Sequence, residues 1–193
     1  MDTPSPRETN LRRAHPLALA LARRLHAQPH ARVLDFGSGS GRNTAALEAA
    51  GFTVRSVPDA QVQTFRANRE FDAAVGTHAL LHGTPAAVSQ MLRAIANALK
   101  AGAPLYVTFA SVSDARYGKG TRIGDDTFAP DEGDERGVAH VYFRERGLRD
   151  ILERDFVVES LDERNVDEIA GRWAHAQQPR GSVHWFVQAR RRQ

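Results

Sequence analysis

The chain of 193 residues contains no cysteine. This absence excludes disulfide bridges, thiolate nucleophiles and cysteine ligands for metals. Long apolar runs are also missing, and every run is far shorter than the roughly 18 residues that a membrane-spanning helix requires. The first residues are polar and lack the apolar core of a secretion signal. These absences lead us to expect a cytoplasmic protein without a membrane partner.

Lysine is also scarce, because 24 of the 26 basic side chains are arginine and only Lys100 and Lys119 are lysine. Binding to nucleic acid requires cations that cluster against the phosphates. The basic residues are instead scattered, and they cluster only within 115–122 and 189–192. We therefore attribute the arginine content to a GC-rich genome and expect no nucleic-acid partner.

The length of the chain suits one domain of ordinary size, since domains typically contain about 100 to 200 residues. The start, MDTPSPRETNLRR, is polar and includes two prolines, which is typical of a disordered arm. We expect a disordered arm over 1–12 and a single domain over 13–193.

Helix and strand patterns alternate between residues 31 and 161, which favours a parallel sheet with helices on both faces. The clearest helix is capped by Thr84 and ended by Gly102. The stretch 112–139 holds seven acidic residues and five glycines without a period, which predicts a long loop. The other predicted helices are 15–28, 43–51 and 144–155, and the predicted strands are 31–36, 52–57, 71–76, 105–111, 156–161 and 183–191.

The segment LDFGSGSGRN, 34–43, places three glycines between a predicted strand and a predicted helix. Glycine at this density is costly inside either element, so we expect something to pass close to this backbone. A dinucleotide-binding turn would read G-x-G-x-x-G, and Arg42 stands where its third glycine would be. The pattern favours a ligand with a nucleoside and an amino-acid part but no phosphate, such as S-adenosylmethionine.

The chain resembles the class I S-adenosylmethionine-dependent methyltransferases in three segments. VLDFGSGSG, 33–41, is similar to the first motif of that family, and GRNT, 41–44, is similar to its tellurite-resistance branch. The segment 71–83 resembles the family's fourth strand and the turn after it, and 91–109 resembles the next helix and the fifth strand. The resemblance implies an enzyme that transfers a methyl group from S-adenosylmethionine to a small-molecule acceptor.

The resemblance also implies which residues bind the cofactor. The first motif would surround the methionine part, and Arg42 with the start of the next helix would meet its carboxylate. The turn after the fourth strand would contact the amino group or the sulfonium side. Asn43 is in addition the expected N-cap of its helix. The residues so implied are Asp35, Gly37, Ser38, Gly39, Arg42, Asn43, Thr77 and His78.

The chain departs from the family after the second strand. The family places an acidic residue there to hold both ribose hydroxyls, because one carboxylate accepts two hydrogen bonds. Pro58 stands at that position and Asp59 follows it, so Asp59 is the expected ribose contact. Only 13 residues, 58–70, remain for the family's helix, third strand and adenine-binding turn. We expect one helix at most and no full third strand. The adenine end is then open, supplied by another part of the protein or a partner, or lost.

The expected fold class is therefore α/β: a doubly wound, mostly parallel, Rossmann-like methyltransferase sheet with a reduced third-strand region. The last strand follows another strand and a 21-residue connector, and we expect it to insert antiparallel. His184 and Trp185 on this strand are expected in the core or on the surface rather than in a site.

The acceptor site is expected beyond the fifth strand, because open α/β sheets bind ligands at the carboxyl ends of their strands. In one interpretation the cations of the long loop bind an anionic substrate and the loop closes over it as a lid. In the other it is a solvated surface loop whose cations pair with its own acidic run. A base is needed only where the acceptor must lose a proton. The expected substrate contacts are His82, Arg116, Lys119 and Arg122, and the candidates for catalysis are His140 and Tyr117.

His78 and His82 are four residues apart and would share one face of a helical turn. A metal pair is one interpretation, but a polar lip of the cofactor cleft is the one we favour, and no metal is predicted. Two other functions stay open for the chain. One is a nucleic-acid methyltransferase, and the other is a non-catalytic domain of the same fold that binds a partner protein.

Overall fold

The computed structural model describes residues 14–133, 135–166 and 181–193 of the chain. The expected arm over 1–12 lies outside the described residues, and the division into arm and single domain stays a prediction. The described helices are α1 (Pro16–Arg24), α2 (Arg42–Ala49), α3 (Pro85–Ala98) and α4 (Glu145–Leu152), with a 3₁₀ turn at Asp59–Gln61. The described strands are β1 (Arg32–Phe36), β2 (Thr53–Val57), β3 (Ala73–Gly76), β4 (Pro104–Ser111), β5 (Thr121–Gly124), β6 (Thr127–Ala129), β7 (His140–Phe143), β8 (Phe156–Asn165) and β9 (Val183–Arg191).

The sheet confirms the predicted α/β fold class. Strands β2, β1, β3 and β4 lie side by side in this order and run parallel. Strand β9 pairs antiparallel with β4 along Pro104–Ala110, and β8 pairs antiparallel with β9. The last strand therefore inserts antiparallel, as the long connector before it predicts. None of the helices in the described ranges has both the length and the apolar character needed to cross a bilayer.

Helices cover both faces of the parallel strands, which explains why β3 and β4 are buried along their whole length. The side chain of Thr84 caps α3 by accepting a hydrogen bond from the backbone N–H of Ala87, at 3.3 Å. The buried face of α3 packs on one side of the sheet, and α1 packs on the other with Leu17 and Leu21. Because both faces are closed, the carboxyl edge of the strands is the part of the sheet where a ligand can reach the backbone.

The segment 58–70 contains no strand, as predicted, and no described strand pairs with the outer side of β2. The possible helix in this segment is not formed, and the chain makes only the 3₁₀ turn at Asp59–Gln61. Phe65 holds the rest of the segment in place, because its ring is buried against Phe36 at a centroid distance of 5.8 Å. Only three residues separate the 3₁₀ turn from the buried Phe65, which is too short a stretch for a regular helix.

The long loop predicted over 112–139 contains a β-hairpin. Strands β5 and β6 pair antiparallel, and β6 continues the pairing onto β7. The hairpin turns at Asp125 and Asp126, and Asp126 has a φ of +46°. Aspartate tolerates this left-handed conformation. The Asp-Asp pair between two short segments with β-branched residues is therefore the feature of the sequence that indicates a turn here.

Candidate functional site

A cavity of about 220 Å³ opens at the carboxyl edge of β1, β2 and β3. The parallel register brings Phe36 and Val57 to the same level, so the turns that follow these strands meet there. The cavity is lined by Gly37, Ser38, Gly39, Ser40, Arg42, Asn43, Asp59, Thr77, His78, Leu81, His82, Arg116, Glu135 and His184. Eight of the nine expected cofactor residues lie in this lining, and the ninth, Asp35, is buried beneath it.

The glycines of the turn after β1 meet two different surroundings, packed protein at one position and the open cavity at another. Gly37, Gly39 and Gly41 all have positive φ, which glycine adopts without strain. A Cβ on Gly37 would lie 2.2 Å from the Cβ of Ala79, so this glycine is required by the turn after β3. A Cβ on Gly39 would meet only Asp59, at 3.9 Å, and would otherwise project into open space. At Gly37 the close neighbour that we expected for this backbone is therefore Ala79. At Gly39 the backbone borders the open cavity instead.

Asp59 lies at the rim of the cavity, directly over the glycine turn. Its Oδ1 atom is 3.1 Å from the position that a Cβ on Gly37 would occupy. The 3₁₀ turn starts at Asp59, and the extended backbone of Pro58 before it directs the chain back over the carboxyl end of β1. The one-residue offset from the family pattern thus leaves a carboxylate at the edge where a ribose contact is expected.

Asp35 is fully buried and supports the turn from below. Its Oδ2 atom accepts a hydrogen bond of 2.6 Å from the hydroxyl of Thr44 in the first turn of α2. Its Oδ1 atom has no hydrogen-bond partner among the described residues. Burial raises the pKa of Asp35, and the hydrogen bonds from Thr44 offset only part of this effect.

Asn43 is not the N-cap of α2, because the helix already begins at Arg42 and Gly41 occupies the cap position. The Asn43 amide is buried and joins three elements instead. Its oxygen accepts from the backbone N–H of His15 at 2.9 Å, and its nitrogen donates to Thr77 Oγ1 at 3.0 Å. The side chain therefore fixes the start of α1 and the turn after β3 against α2.

Histidine rings form the wall of the cavity next to this amide. The ring of His78 lies 5.6 Å from that of His15 and 5.0 Å from that of His184. Burial lowers the pKa of His15 to about 3, and the positive charge of Arg42 adds to the effect, so His15 is neutral at pH 7. His78 itself has a φ of +64°, an uncommon conformation for a side chain of this size.

His184 was expected in the core or on the surface, yet it is a buried residue that also lines the cavity. It reaches the site because β9 runs antiparallel to β4, which places His184 opposite Ala110. Trp185 is buried, as its position on the strand predicts, and its indole N–H donates to the carbonyl oxygen of Phe143 at 2.8 Å.

The opposite wall of the cavity is charged. Arg116 donates from its backbone and from Nε to Asp114 Oδ1, at 2.8 and 3.2 Å. The buried carboxylate of Asp114 also accepts from Ser182 Oγ and from the backbone N–H of Val183. Burial would raise the pKa of Asp114, but the charge and hydrogen bonds of Arg116 outweigh it and lower that pKa. The Nη1 atom of Arg116 extends to Glu135 Oε2, at 3.7 Å.

Glu135 connects this wall to two histidines. Its carboxylate lies 3.4 Å from His82 Nε2 and 3.2 Å from His140 Nε2. His140 is buried behind these residues and is not part of the lining. The three side chains could hold a metal ion, since their donor atoms all lie within 4.8 Å of one another. Glu135 gave no signal in the sequence, because it stands in an acidic run of an apparent loop.

Three of the other expected residues lie outside the cavity lining. The hydroxyl of Tyr117 donates to the carboxylate of Asp126 in the hairpin turn, and this hydrogen bond raises the pKa of Tyr117. Arg122 is exposed and donates to Asp125 at 2.9 Å, and Lys119 is exposed before the hairpin. The hairpin is paired through its backbone with β7, which keeps Lys119 and Arg122 away from the cavity. Of the three cations predicted to bind the substrate, Arg116 is the one in the cavity lining.

Comparison with known proteins supports the fold. No protein-family model and no curated protein matches the chain. Among solved structures, an S-adenosylmethionine-dependent methyltransferase from Methanosarcina mazei has a TM-score of 0.66 and 15% identity, over 93% of this chain and 99% of that one. The 1,6-didemethyltoxoflavin-N1-methyltransferase of Burkholderia thailandensis has a TM-score of 0.62 and 21% identity, over 92% and 79%.

The magnesium protoporphyrin IX methyltransferase of Synechocystis has a TM-score of 0.56 and 16% identity, over 90% of this chain and 77% of that one. The structures of the Burkholderia and Synechocystis enzymes contain S-adenosylhomocysteine and S-adenosylmethionine, respectively. At these identities, similarity extends to the architecture of the sheet and its helices. The chain has the Rossmann-like fold of the S-adenosylmethionine-dependent methyltransferases.

Proposed function

We propose that the protein is a methyltransferase that uses S-adenosylmethionine and acts on a small molecule. The observation that carries this proposal is the carboxylate of Asp59, which lies over an open glycine turn in a cavity that also contains Arg42. These groups fit a cofactor with a diol at one end and a carboxylate at the other. When bound, the cofactor supplies a methyl group on a positively charged sulfur, and the protein has to orient the two reactants.

The residues of the cavity divide between the parts of this cofactor. Arg42 is positioned to meet an anionic carboxylate, and Asp59 is positioned to accept hydrogen bonds from both ribose hydroxyls. Asn43 and Thr77 are fixed to each other by a hydrogen bond, so they present a rigid surface to the methionine part. Gly39 leaves this surface open, because a side chain there would extend toward the ligand.

An adenine site is available despite the missing third strand. A second cavity of about 270 Å³ shares Asp59 and His82 with the first one. Its remaining wall is largely apolar, with Val62, Ala79 and Met91. A flat base beyond a ribose held by Asp59 would enter this second cavity, so we assign the adenine to it.

The acceptor then lies on the side of His82, Arg116 and Glu135. A cavity of this size suits a small molecule, and two of the similar structures belong to enzymes named for small-molecule acceptors. Arg116 can hold an anionic group of the acceptor, although most of its charge is already balanced by Asp114. Glu135 and His82 can accept a proton from the acceptor, while the buried His140 contacts Glu135 and acts on the site through it.

Calorimetric titration with S-adenosylmethionine tests the proposal. We expect the wild-type chain to bind one cofactor, and Asp59→Ala to weaken binding by about 1 to 3 kcal/mol, the usual loss when a charged hydrogen-bond partner is removed. Gln61→Ala is the matched control, because Gln61 is exposed in the same 3₁₀ turn and lines neither cavity. A folded wild-type chain that does not bind the cofactor would favour the non-catalytic alternative.

A further inference from the structure

The two histidines beside the cavity are held opposite each other by the backbone. His82 and His140 form an isolated antiparallel bridge between the turn after β3 and the start of β7. Hydrogen bonds on both sides fix this bridge, from Gly83 N to Ala139 O at 2.7 Å and from Val141 N to Leu81 O at 2.9 Å. The two rings consequently meet edge to face with centroids 4.9 Å apart. Two imidazoles placed on rigid backbone are a preorganised pair of ligands.

The tautomer of His140 is determined by its surroundings. Its Nδ1 atom lies 2.8 Å from the carbonyl oxygen of Val138, which can only accept a hydrogen bond, so Nδ1 carries the proton. In the neutral ring, Nε2 then carries a lone pair. This atom is buried, has no hydrogen-bond partner in the described part of the chain, and faces Glu135 Oε2 at 3.2 Å. A ring nitrogen and a carboxylate oxygen that face each other at this distance can both bind one cation.

Glu135 faces the second histidine as well. His82 Nε2 lies 3.4 Å from the other oxygen of the same carboxylate. One divalent cation satisfies both nitrogens and the carboxylate together. Donor atoms bound at roughly 2.1 Å to a tetrahedral ion lie about 3.4 Å apart. The two measured separations, one to each oxygen of the carboxylate, are close to this value.

We infer that His82, Glu135 and His140 bind a divalent transition metal ion. Two imidazoles and one carboxylate suit Zn²⁺, Co²⁺, Fe²⁺ and Mn²⁺, and three protein ligands leave at least one coordination position open. The hydrogen bond from His140 to Val138 is the kind of outer contact that orients a ligating imidazole. The sequence does not predict this site, because its three ligands come from separate elements.

The open position of the ion faces the cavity, because His82 and Glu135 both line it. A water molecule or the acceptor itself would occupy that position. This step rests on the proposed function, and it defines the acceptor as a molecule with a metal-binding oxygen, such as a hydroxyl or an enol. The ion lowers the pKa of a bound hydroxyl, which releases its proton to solvent. Methyl transfer would form the bond between the acceptor oxygen and the methyl carbon, and the electron pair of the broken carbon–sulfur bond would stay on the sulfur of the cofactor.

Metal binding is tested without reference to methyl transfer. The full-length chain is prepared without a polyhistidine tag, stripped with a chelator and titrated calorimetrically with Zn²⁺. Co²⁺ is added in parallel, because its visible absorption reports its coordination. We expect one ion per chain, and Glu135→Gln and His82→Ala should each weaken binding by at least about 100-fold. His82 is half-exposed, so its variant is expected to fold.

Glu132→Gln is the matched control, since it removes an exposed carboxylate from the same acidic run and should leave metal affinity unchanged. The inference is overturned if Zn²⁺ does not bind, or if the Glu135 and His82 variants bind as well as Glu132→Gln does. Titration of the same samples with S-adenosylmethionine separates the two proposals. A chain that binds metal but no cofactor supports the metal site and contradicts the proposed function. A chain that binds the cofactor but no metal supports the proposed function and contradicts the metal site.

Discussion

The two walls of the cavity are held together by different kinds of contact. On the wall that we propose to bind the cofactor, here named the cofactor side, Asn43 links His15 to Thr77 through hydrogen bonds between uncharged groups, and the pKa of His15 is lowered to about 3. On the wall that we propose to bind the acceptor, here named the acceptor side, Asp114 and Arg116 form a buried ion pair. One wall depends on a histidine that stays neutral, and the other depends on charges that stay present. His184 connects the two walls, because its Nε2 atom lies 3.9 Å from Asp114 Oδ2 and its ring lies 5.0 Å from that of His78. We expect acid to act chiefly through His15 and substitution of Asp114 to act chiefly through the ion pair.

The largest effect is expected from Asp114→Ala on the acceptor side. The change removes the carboxylate that is hydrogen-bonded to the largely buried side chain of Arg116 and leaves only the longer contact with Glu135, and it also removes the acceptor for Ser182 and Val183. Breaking a buried pair in this way typically costs about 3 to 5 kcal/mol. The free energy of unfolding in urea measures this loss. Asp125→Ala removes the partner of an exposed arginine in the same segment, and it should cost less than about 1 kcal/mol. Equal losses in the two variants would contradict the comparison.

The next effect is the response of the cofactor side to pH. Because the pKa of His15 is lowered to about 3, the unfolded chain takes up a proton near pH 6.5 before the folded chain does. Stability is therefore complete above about pH 6.5 and falls as the pH approaches 3. The loss from this group should reach about 3 kcal/mol by pH 4, at roughly 1.36 kcal/mol per pKa unit.

His15→Asn should remove this part of the pH dependence. Asparagine keeps an acceptor at the N-cap of α1, where His15 Nδ1 now accepts from Leu17 N. His26→Asn changes an exposed histidine and should retain the full pH dependence. Urea unfolding at several pH values between 4 and 7 gives the comparison. A slope that survives in His15→Asn would assign the acid sensitivity to another group.

The smallest effect concerns the open space at Gly39. Gly39→Val places a branched side chain toward the cavity and should weaken S-adenosylmethionine by more than about 1.4 kcal/mol, or tenfold. Gly51→Val is the matched control, because Gly51 also has positive φ and open space around it but follows α2 away from the cavity. Both variants place valine at a positive φ, of +50° at Gly39 and +91° at Gly51, so strain alone does not separate them in favour of the control, and calorimetry should show a loss of binding only for Gly39→Val. Unchanged binding in a folded Gly39→Val chain would contradict the assigned site.

The cofactor side could largely be predicted from the sequence, because its residues follow consecutive strands. The glycine turn, Asp59 and the turn after β3 are each within a few residues of a buried apolar run, and parallel pairing brings such ends together. The acceptor side could not be predicted in the same way. Asp114 accepts from Val183, 69 residues further along the chain, and this contact exists only because β9 inserts next to β4. Local patterns contain no information about that register.

The same reason explains why neither the hairpin nor the position of Glu135 in the cavity could be predicted from the sequence. The sequence of 112–139 reads as a loop because its strands are short, and each is supported by a neighbour rather than by its own apolar pattern. Glu135 becomes part of the site only when the bridge between His82 and His140 has formed. A side chain of this kind is identified by its neighbours in space, and the acidic run that contains it does not distinguish it from Glu132.

Because the segment 58–70 forms no strand, β2 is an edge strand of the sheet. Strand β2 offers one row of backbone N–H and C=O groups to which no strand in the described ranges is paired. Exposed edges of this kind can pair with another chain and aggregate. Here the guanidinium of Arg55 lies 5.1 Å from the ring of Phe65, and Pro58 ends the strand with a residue that has no N–H to donate. The shortened fold thus keeps its own protection against aggregation, and replacing Arg55 by an apolar residue would weaken it.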